Sequence, residues 1–216
     1  MSSEARQVIM DSIRGHLAAS AAYDELTEPS AVAPGKSPSQ IPLAELFKQS
    51  LQAVNGHAVI VNKDTDIADV LTRIVTDLRA QRLAISDNPE VERLLQLTDL
   101  EIEELGIAPD ASDIFRFDVG ITTAQAAIAE SGTLVLDSTH ERHRLVSLVP
   151  PVHIAIVDAS KIYETLGEAL AFINKNEISP AVTFITGPSR TADIELTLTV
   201  GVHGPQELYV IVNGST

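Results

Sequence analysis

Hydrophobic residues recur at two different periods along this chain, and the two periods alternate from residue 41 onward. Apolar residues return every three or four positions over residues 43–54 and 67–78, which predicts amphipathic helices. Short apolar runs bounded by turn residues predict buried strands. These runs cover residues 57–61, 83–85, 133–136, 152–157, 181–185 and 208–212. The alternation predicts an α/β fold, with a mostly parallel central sheet flanked by helices.

The first 40 residues have a different character. Ile9, Ile13 and Leu17 recur at a spacing of four, which predicts a helix, and residues 24–40 have the Pro-rich, Gly-containing composition of a linker. We therefore divide the chain into an N-terminal helical arm with its linker, residues 1–40, and an α/β domain, residues 41–216. The arm either lies on the domain or binds a partner or a second copy.

Several local predictions depend on single residues. Gly56 is expected at the C′ position of the helix over residues 43–54, and Asn88 with Pro89 is expected to start a short helix. The small residues 124–129 predict a helix, and another helix is expected to begin at Ser160. Residues 98–117 predict a solvated helix end and a loop. Residues 194–200 alternate as a strand would, with a hairpin through residues 201–205, although their acidic start would also suit a helix.

Composition narrows the classes of function. The formal net charge of -15 disfavours binding to nucleic acid or to anionic membrane surfaces. The chain has no cysteine, which excludes disulfides, thiolate catalysis and Cys-ligated iron–sulfur clusters on these 216 residues. No apolar run approaches the ~20 residues that span a bilayer, and the N-terminus lacks an apolar signal core. We expect a cytoplasmic protein without a membrane span.

A polar cluster follows the apolar run at residues 181–185. Gly187 and Pro188 end the run, and Ser189, Arg190 and Thr191 come directly after them, with Asp193 beyond. Ligands of open α/β sheets bind past the carboxyl ends of strands, and an arginine matches a carboxylate in bidentate geometry. The cluster therefore predicts an anion site, with His203 returning towards it. The alternative interpretation is an ordinary turn whose hydroxyls cap a helix.

Two further polar groups raise other kinds of chemistry. Glu130 stands in a glycine-containing turn before a strand, where a carboxylate acts as a nucleophile or general base, or is simply solvated. His140 and His143 have a spacing that two ligands of one metal could share, but no carboxylate supplies a third position. We predict no metal site, and we expect His153 to be half-buried with its hydrogen bonds satisfied.

Four blocks of sequence together resemble the LUD domain, the family of lactate utilization protein C. They are Ala-Ile-Ala-Glu-Ser-Gly-Thr-Leu-Val-Leu at residues 127–136, Pro-Pro-Val-His-Ile-Ala-Ile-Val at 150–157, Thr-Gly-Pro-Ser-Arg-Thr-Ala-Asp-Ile-Glu at 186–195 and Gly-Val-His-Gly-Pro at 201–205. The resemblance spans about residues 41–216. It implies a fold similar to the ribose-5-phosphate isomerase and CoA-transferase group. It also implies a role in oxidising L-lactate to pyruvate beside two partner proteins that carry iron–sulfur clusters.

The resemblance adds weight to one set of candidate ligand-binding residues, and its motifs leave His140 and His143 outside. The set is Glu130, Ser131, Gly132, Thr133, Gly187, Ser189, Arg190, Thr191, Asp193 and His203. We expect the loops at 130–133 and 186–205 to meet at one edge of the central sheet and to bind a small carboxylate or phosphate.

Three functions stay open at this point. The first is an accessory, cofactor-free subunit of a lactate-oxidising system. The second is a CoA-transferase-like enzyme in which Glu130 accepts an acyl group and Arg190 holds the acid. The third is a structural or regulatory module without a ligand.

Overall fold

The computed structural model describes residues 3–19, 41–173, 179–192, 198–200 and 204–214, and the chain divides into two compact units, Met1–Ser37 and Pro38–Thr216. The first unit contains helix α1 (Ser3–Ala19), on which Val8 and Ile9 are exposed. The predicted linker at residues 24–40 lies outside the described residues. Among the described helices, none has both the length and the hydropathy that crossing a bilayer requires.

The second unit is built from alternating helices and strands. Its helices are α2 (Leu43–Ala53), α3 (Asp64–Asp77), α4 (Pro89–Leu95), α5 (Leu145–Leu148) and α6 (Leu166–Ile173). Its strands are β1 (His57–Val61), β2 (Arg82–Ile85), β3 (Glu104–Ile107), β4 (Val119–Thr123), β5 (Ala126–Ile128), β6 (Thr133–Asp137), β7 (Val152–Asp158), β8 (Ile162–Tyr163), β9 (Val182–Ile185), β10 (Arg190–Ala192), β11 (Leu198–Val200) and β12 (Glu207–Asn213).

Six of these strands form a central sheet in the order β1-β12-β7-β4-β2-β3, and every neighbouring pair is parallel. Helices α3 and α4 pack on one face through residues such as Ile67, Leu71 and Leu94. Helix α2 covers the other face together with a second sheet, and Phe47 and Leu51 are completely buried there. The predicted α/β class is therefore confirmed.

The second sheet has the strand order β8-β5-β6-β9 and accounts for one wrong prediction. Residues 124–129 were expected to be helical, but Ala126, Ala127 and Ile128 form β5, which pairs antiparallel with β6 and parallel with β8. All three residues are buried, since one face meets the main core and the other meets α6. Small side chains fit this narrow space, and burial on both faces removes the alternation that would mark a strand.

The strand at residues 181–185 also belongs to this second sheet. β9 lies at its edge, and Phe184 is 44% exposed, so the expectation of a buried strand is wrong. The hairpin expected through residues 201–205 is likewise replaced by an antiparallel pairing of β10 with β11, in which Arg190 lies opposite Val200. Residues 193–197, which connect these two strands, lie outside the described residues.

Helix α6 begins six residues later than the expected start at Ser160. The Thr165 hydroxyl accepts the Glu168 N–H at 3.3 Å, and Glu168 Oε2 accepts the Thr165 N–H at 3.3 Å and the Glu164 N–H at 2.9 Å. This reciprocal pattern is a capping box, and it sets the start of the helix at Leu166. Ser160 instead lies in a short 3-10 turn. The loop expected over residues 98–117 also contains β3 and a second 3-10 turn, Ile114–Arg116.

The end of α2 is one residue away from the predicted geometry. Asn55, with φ of 63°, takes the left-handed C′ position that was assigned to Gly56. The Gly56 N–H donates to the Leu51 carbonyl at 2.9 Å and the Asn55 N–H to the Gln52 carbonyl at 3.0 Å, which is the Schellman pattern. Gly56 is still needed, because a Cβ there would lie 2.5 Å from Leu51 Cδ1.

One histidine is enclosed in the middle of the central sheet. His153 on β7 has no exposed surface, and its Nδ1 has no hydrogen-bond partner among the described residues, so the expected half-buried position with satisfied hydrogen bonds is wrong. Its Nε2 shares a 2.9 Å hydrogen bond with the Thr122 hydroxyl on β4. Burial lowers the pKa of His153 to about 3, since a charged imidazole would lose its hydration there.

Replacing His153 with Gln should make the free energy of unfolding fall less steeply as the pH drops below 6.5. The pKa of His153 is about 3 in the folded chain against 6.5 ordinarily, so below pH 6.5 the unfolded chain takes up a proton that the folded chain does not. The stabilisation by neutral His153 is complete above pH 6.5 and is lost towards pH 3, at up to about 1.4 kcal/mol per pH unit. Urea unfolding of both proteins between pH 7 and pH 5 measures this difference. An equal change of the unfolding free energy with pH in the two proteins would contradict the prediction.

Candidate functional site

The turns at residues 130–133 and 186–187 do lie together. The Thr133 hydroxyl is 2.7 Å from the Ser131 hydroxyl and 2.7 Å from the Thr186 hydroxyl, which joins the two turns. The expected meeting point, the edge of the central sheet, is wrong: the two turns meet at the end of the second sheet. The reason is that β6 and β9 pair antiparallel, which places the start of one strand beside the end of the other.

Both glycines of the predicted site pack against the end of α2. Gly132 has φ of 65°, and a Cβ there would lie 2.4 Å from the Leu51 backbone nitrogen. Gly187 has φ of 77°, and a Cβ there would lie 2.8 Å from the Val54 carbonyl oxygen. The left-handed conformation and the close approach both require glycine, so packing alone accounts for these two residues.

The described part of the Ser189–Thr191 cluster also faces α2. The Ser189 N–H donates to the Pro205 carbonyl at 2.8 Å, which holds the two predicted turns side by side. Arg190 is exposed and donates to the Val54 carbonyl at 3.4 Å, where the negative end of the helix dipole stabilises a cation. The backbone of Thr191 pairs opposite Thr199. Asp193 and His203 lie outside the described residues, and an anion site here stays a prediction.

Glu130 is exposed, and its carboxylate has a structural partner. Its Oε1 accepts the Leu166 N–H at 3.0 Å, at the first residue of α6. Carboxylates at this position satisfy a free N–H group and interact favourably with the helix dipole. Glu130 also lines an open groove of about 640 Å³ with Leu166, Leu170 and Phe184, and Arg190 is not among the described residues that line it. A role for Glu130 as an acyl acceptor stays a prediction.

Replacing Gly132 with Ala should destabilise the protein by roughly 2–4 kcal/mol, because the added methyl group would overlap the α2 backbone and the residue would keep a positive φ. Gly15→Ala is a suitable control, since no atom lies within 4 Å of a Cβ at Gly15 on α1. Denaturant unfolding measures both variants. A Gly132→Ala variant as stable as the wild type would show that packing does not require this glycine.

A second polar site, which sequence analysis did not single out, lies at the carboxyl ends of β4, β7 and β12. It is a cavity of about 590 Å³ on the edge where ligands of parallel sheets bind. The side chains that line it come from the ends of several strands and from the loops after them. Its polar lining includes Asn88, Thr123, Gln125, His140, Asp158 and Lys161.

A buried carboxylate supports the wall of this cavity. Glu141 is only 2% exposed, and its Oε1 accepts the Thr123 N–H at 2.9 Å, the Thr123 hydroxyl in a short hydrogen bond, and Asn88 Nδ2 at 3.4 Å. Its Oε2 has no hydrogen-bond partner among the described residues. Burial raises the pKa of Glu141 above its ordinary value, while the hydrogen bonds from Thr123 act in the opposite direction.

The hydrogen bonds continue from this carboxylate to His140. Gln125 Nε2 donates to the Thr123 hydroxyl at 3.2 Å, and Gln125 Oε1 accepts the Asp137 N–H at 2.9 Å. Both carboxylate oxygens of Asp137 lie 2.9 Å from His140 Nδ1. A continuous polar network thus connects Glu141 with an aspartate–histidine pair. The network runs from buried Glu141 to the His140 side chain, which is 60% exposed. The buried members of such networks are costly to leave without partners.

The two histidines that could have shared a metal have different partners. His140 Nδ1 contacts Asp137, whereas His143 Nδ1 lies 3.4 Å from Asp87 Oδ1. Within the residues that the structure describes, no group of three or more His, Asp or Glu side chains is placed to hold a metal ion. The local signal that sequence analysis could have used is the spacing of Asp137 and His140 after a buried strand.

Replacing Glu141 with Gln should raise the free energy of unfolding above that of the wild type, by a difference that grows as the pH rises above 4.5. The folded chain raises the pKa of Glu141, so it holds the proton more tightly than the unfolded chain does. The stabilisation is complete below pH 4.5 and is lost as the pH rises through the folded pKa, whereas Gln does not titrate. Urea unfolding from pH 4.5 to 8 measures the difference, with the exposed Glu101→Gln as the control for loss of one charge. A difference that does not change with pH would contradict the assignment.

Comparisons with known proteins agree on one family. The family model described as LUD domain matches residues 44–212. Lactate utilization protein C of Anoxybacillus flavithermus is 28% identical over 180 residues, which cover 81% of each chain. Lactate utilization protein C of Geobacillus thermodenitrificans is 34% identical over 176 residues, which cover 79% of this chain and 68% of that one. The match to an uncharacterized protein of Neisseria meningitidis serogroup B is 45% identical over 98 residues but covers only 42% of that protein.

A solved structure has the same fold. The crystal structure of a DUF162 family protein from Deinococcus radiodurans matches with a TM-score of 0.62 and 21% sequence identity. The match covers 80% of this chain and 96% of that chain. At this level of identity the likeness supports the fold alone.

Proposed function

Because this chain belongs to the LUD domain family, we propose that it is a lactate utilization subunit, the non-redox member of a system that oxidises L-lactate to pyruvate. The observation that carries the proposal is the match to two proteins named lactate utilization protein C over 81% and 79% of this chain. The proposed role is accessory, so the chain alone does not complete the oxidation.

The proposed division of labour follows from the chemistry of the side chains. Oxidising a 2-hydroxy acid releases two electrons, and the 216 residues contain no cysteine to ligate an iron–sulfur cluster. We therefore place the redox centres on partner proteins that carry iron–sulfur clusters, in the cytoplasm. The part assigned to this chain is to bind those partners and a small carboxylate ligand.

Deleting the gene should abolish or strongly slow growth on L-lactate as the only carbon source, while growth on pyruvate stays normal. Pyruvate lies after the proposed step, so the comparison isolates lactate oxidation from later metabolism. A plasmid copy of the wild-type chain should restore growth on L-lactate. Normal growth of the deletion strain on L-lactate would overturn the proposal.

Purification of the tagged chain from its native source separates an accessory subunit from a self-sufficient enzyme. The chain should co-purify with a cysteine-rich iron–sulfur protein, and the complex should reduce an artificial electron acceptor with L-lactate. The chain alone should not. Turnover of L-lactate by the isolated chain would contradict the accessory role.

A further inference from the structure

We propose that the cavity at the carboxyl ends of β4, β7 and β12 binds a monoanionic 2-hydroxy acid, with Lys161 paired to its carboxylate and His140 bonded to its hydroxyl. The choice of a 2-hydroxy acid rests on the proposed function. The location rests on the side chains that line the cavity. This cavity is a different site from the Ser189–Thr191 cluster.

Lys161 supplies the positive charge that a carboxylate ligand needs. It is the last residue of the 3-10 turn that follows β7, and it is the one Lys or Arg among the described residues that line the cavity. Its side chain forms no hydrogen bond or ion pair with another residue in the described parts of the chain. An ammonium group in this state is free to pair with a ligand, and charge-assisted hydrogen bonds are among the stronger polar contacts.

His140 supplies an oriented acceptor for the hydroxyl group. The Asp137 side chain is only 11% exposed, and its carboxylate accepts hydrogen bonds from the N–H groups of Thr139 at 2.9 Å and His140 at 3.0 Å. Its contact with His140 Nδ1 favours the tautomer whose proton lies on that nitrogen. Nε2 then carries the lone pair, and because His140 lines the cavity, this nitrogen can accept a hydrogen bond from a ligand hydroxyl.

The other lining residues select the charge and shape of the ligand. Glu90, Asp137 and Asp158 line the same cavity, and their negative charges oppose a phosphate or a dicarboxylate more strongly than a monoanion. A ligand hydroxyl can also donate a hydrogen bond to one of these carboxylates. Phe172 and Ile173 give the carbon skeleton an apolar surface. The volume of about 590 Å³ leaves room for side chains longer than a methyl group.

The polar network behind the cavity holds this arrangement in place. Gln125 connects the Asp137 backbone with the Thr123 hydroxyl, and Glu141 anchors Thr123 from the buried side. The aspartate–histidine pair is therefore attached to the rigid end of β4 and not to a free loop. Binding groups fixed in this way lose little conformational freedom when a ligand arrives.

Titration calorimetry of the full chain with L-lactate, L-2-hydroxybutyrate, propionate and inorganic phosphate tests the proposal. Both hydroxy acids should bind, and propionate, which lacks the hydroxyl, should bind at least about tenfold more weakly. Lys161→Gln and His140→Gln should each weaken hydroxy-acid binding by at least about tenfold. The exposed Lys63→Gln, a matched loss of one positive charge, should leave it unchanged.

Four outcomes would overturn the proposal: no binding of either hydroxy acid, equal binding of propionate, tighter binding of phosphate, or binding that survives Lys161→Gln but is lost in Arg190→Gln. The last of these outcomes would place the ligand at the Ser189–Thr191 cluster. Chemical shift mapping of the wild-type chain gives a second readout if a variant does not fold, since the changes should centre on Thr123 and Asp158. A lactate growth defect without binding removes only this inference, whereas binding with normal growth removes only the proposed function.

Discussion

The six parallel strands of the central sheet are covered on both faces, by α3 and α4 on one side and by α2 with the second sheet on the other. Inside these layers almost every side chain is apolar, and the pair of Thr122 and His153 is a neutral, hydrogen-bonded exception. Ligand chemistry is therefore confined to the ends of the strands. At the carboxyl edge, Thr123 and Asp158 open onto a cavity, and the loops after the strands complete its walls.

The C-terminal turn of α2 organises a different part of the domain. Gly132 approaches its backbone at Leu51, Gly187 approaches the carbonyl of its C-cap residue Val54, and Arg190 donates to that same carbonyl. The turns that contain Gly132, Gly187 and Arg190 thus have an architectural role that does not depend on a ligand. Short Gly-Pro-Ser and Glu-Ser-Gly turns contain the same residues whether they bind an anion or pack against a helix end. The motif alone therefore does not distinguish a binding role from a packing role.

The sequence predicted the α/β class because that class follows from strong, local hydrophobic periods. It did not predict β5, because Ala126–Ile128 is buried on both faces and small residues are common in helices as well. Nor did it identify Glu141, whose partners Thr123 and Asn88 lie 18 and 53 residues away. In the sequence this carboxylate stands between histidines and arginines and has the pattern of an exposed loop. Only the fold brings its partners together and removes it from water.

The charge of the whole chain is a poor guide to what such a cavity binds. A formal charge of -15 repels anions at long range, but interactions between exposed charges are largely screened beyond about 8 Å at physiological ionic strength. In the proposed site, Lys161 and the Asp137–His140 pair act on the ligand at contact distance. Oxidation of a 2-hydroxy acid to a 2-keto acid removes two electrons and two protons, one proton from the hydroxyl and one from the carbon that bears it. In the proposed system this chain binds the carboxylate and the hydroxyl group, the two electrons pass to the partner's iron–sulfur clusters, and the two protons are released to water. Such a division requires the 2-hydroxy acid to be bound where the partner can reach it, which an open edge of the sheet allows and a closed core does not.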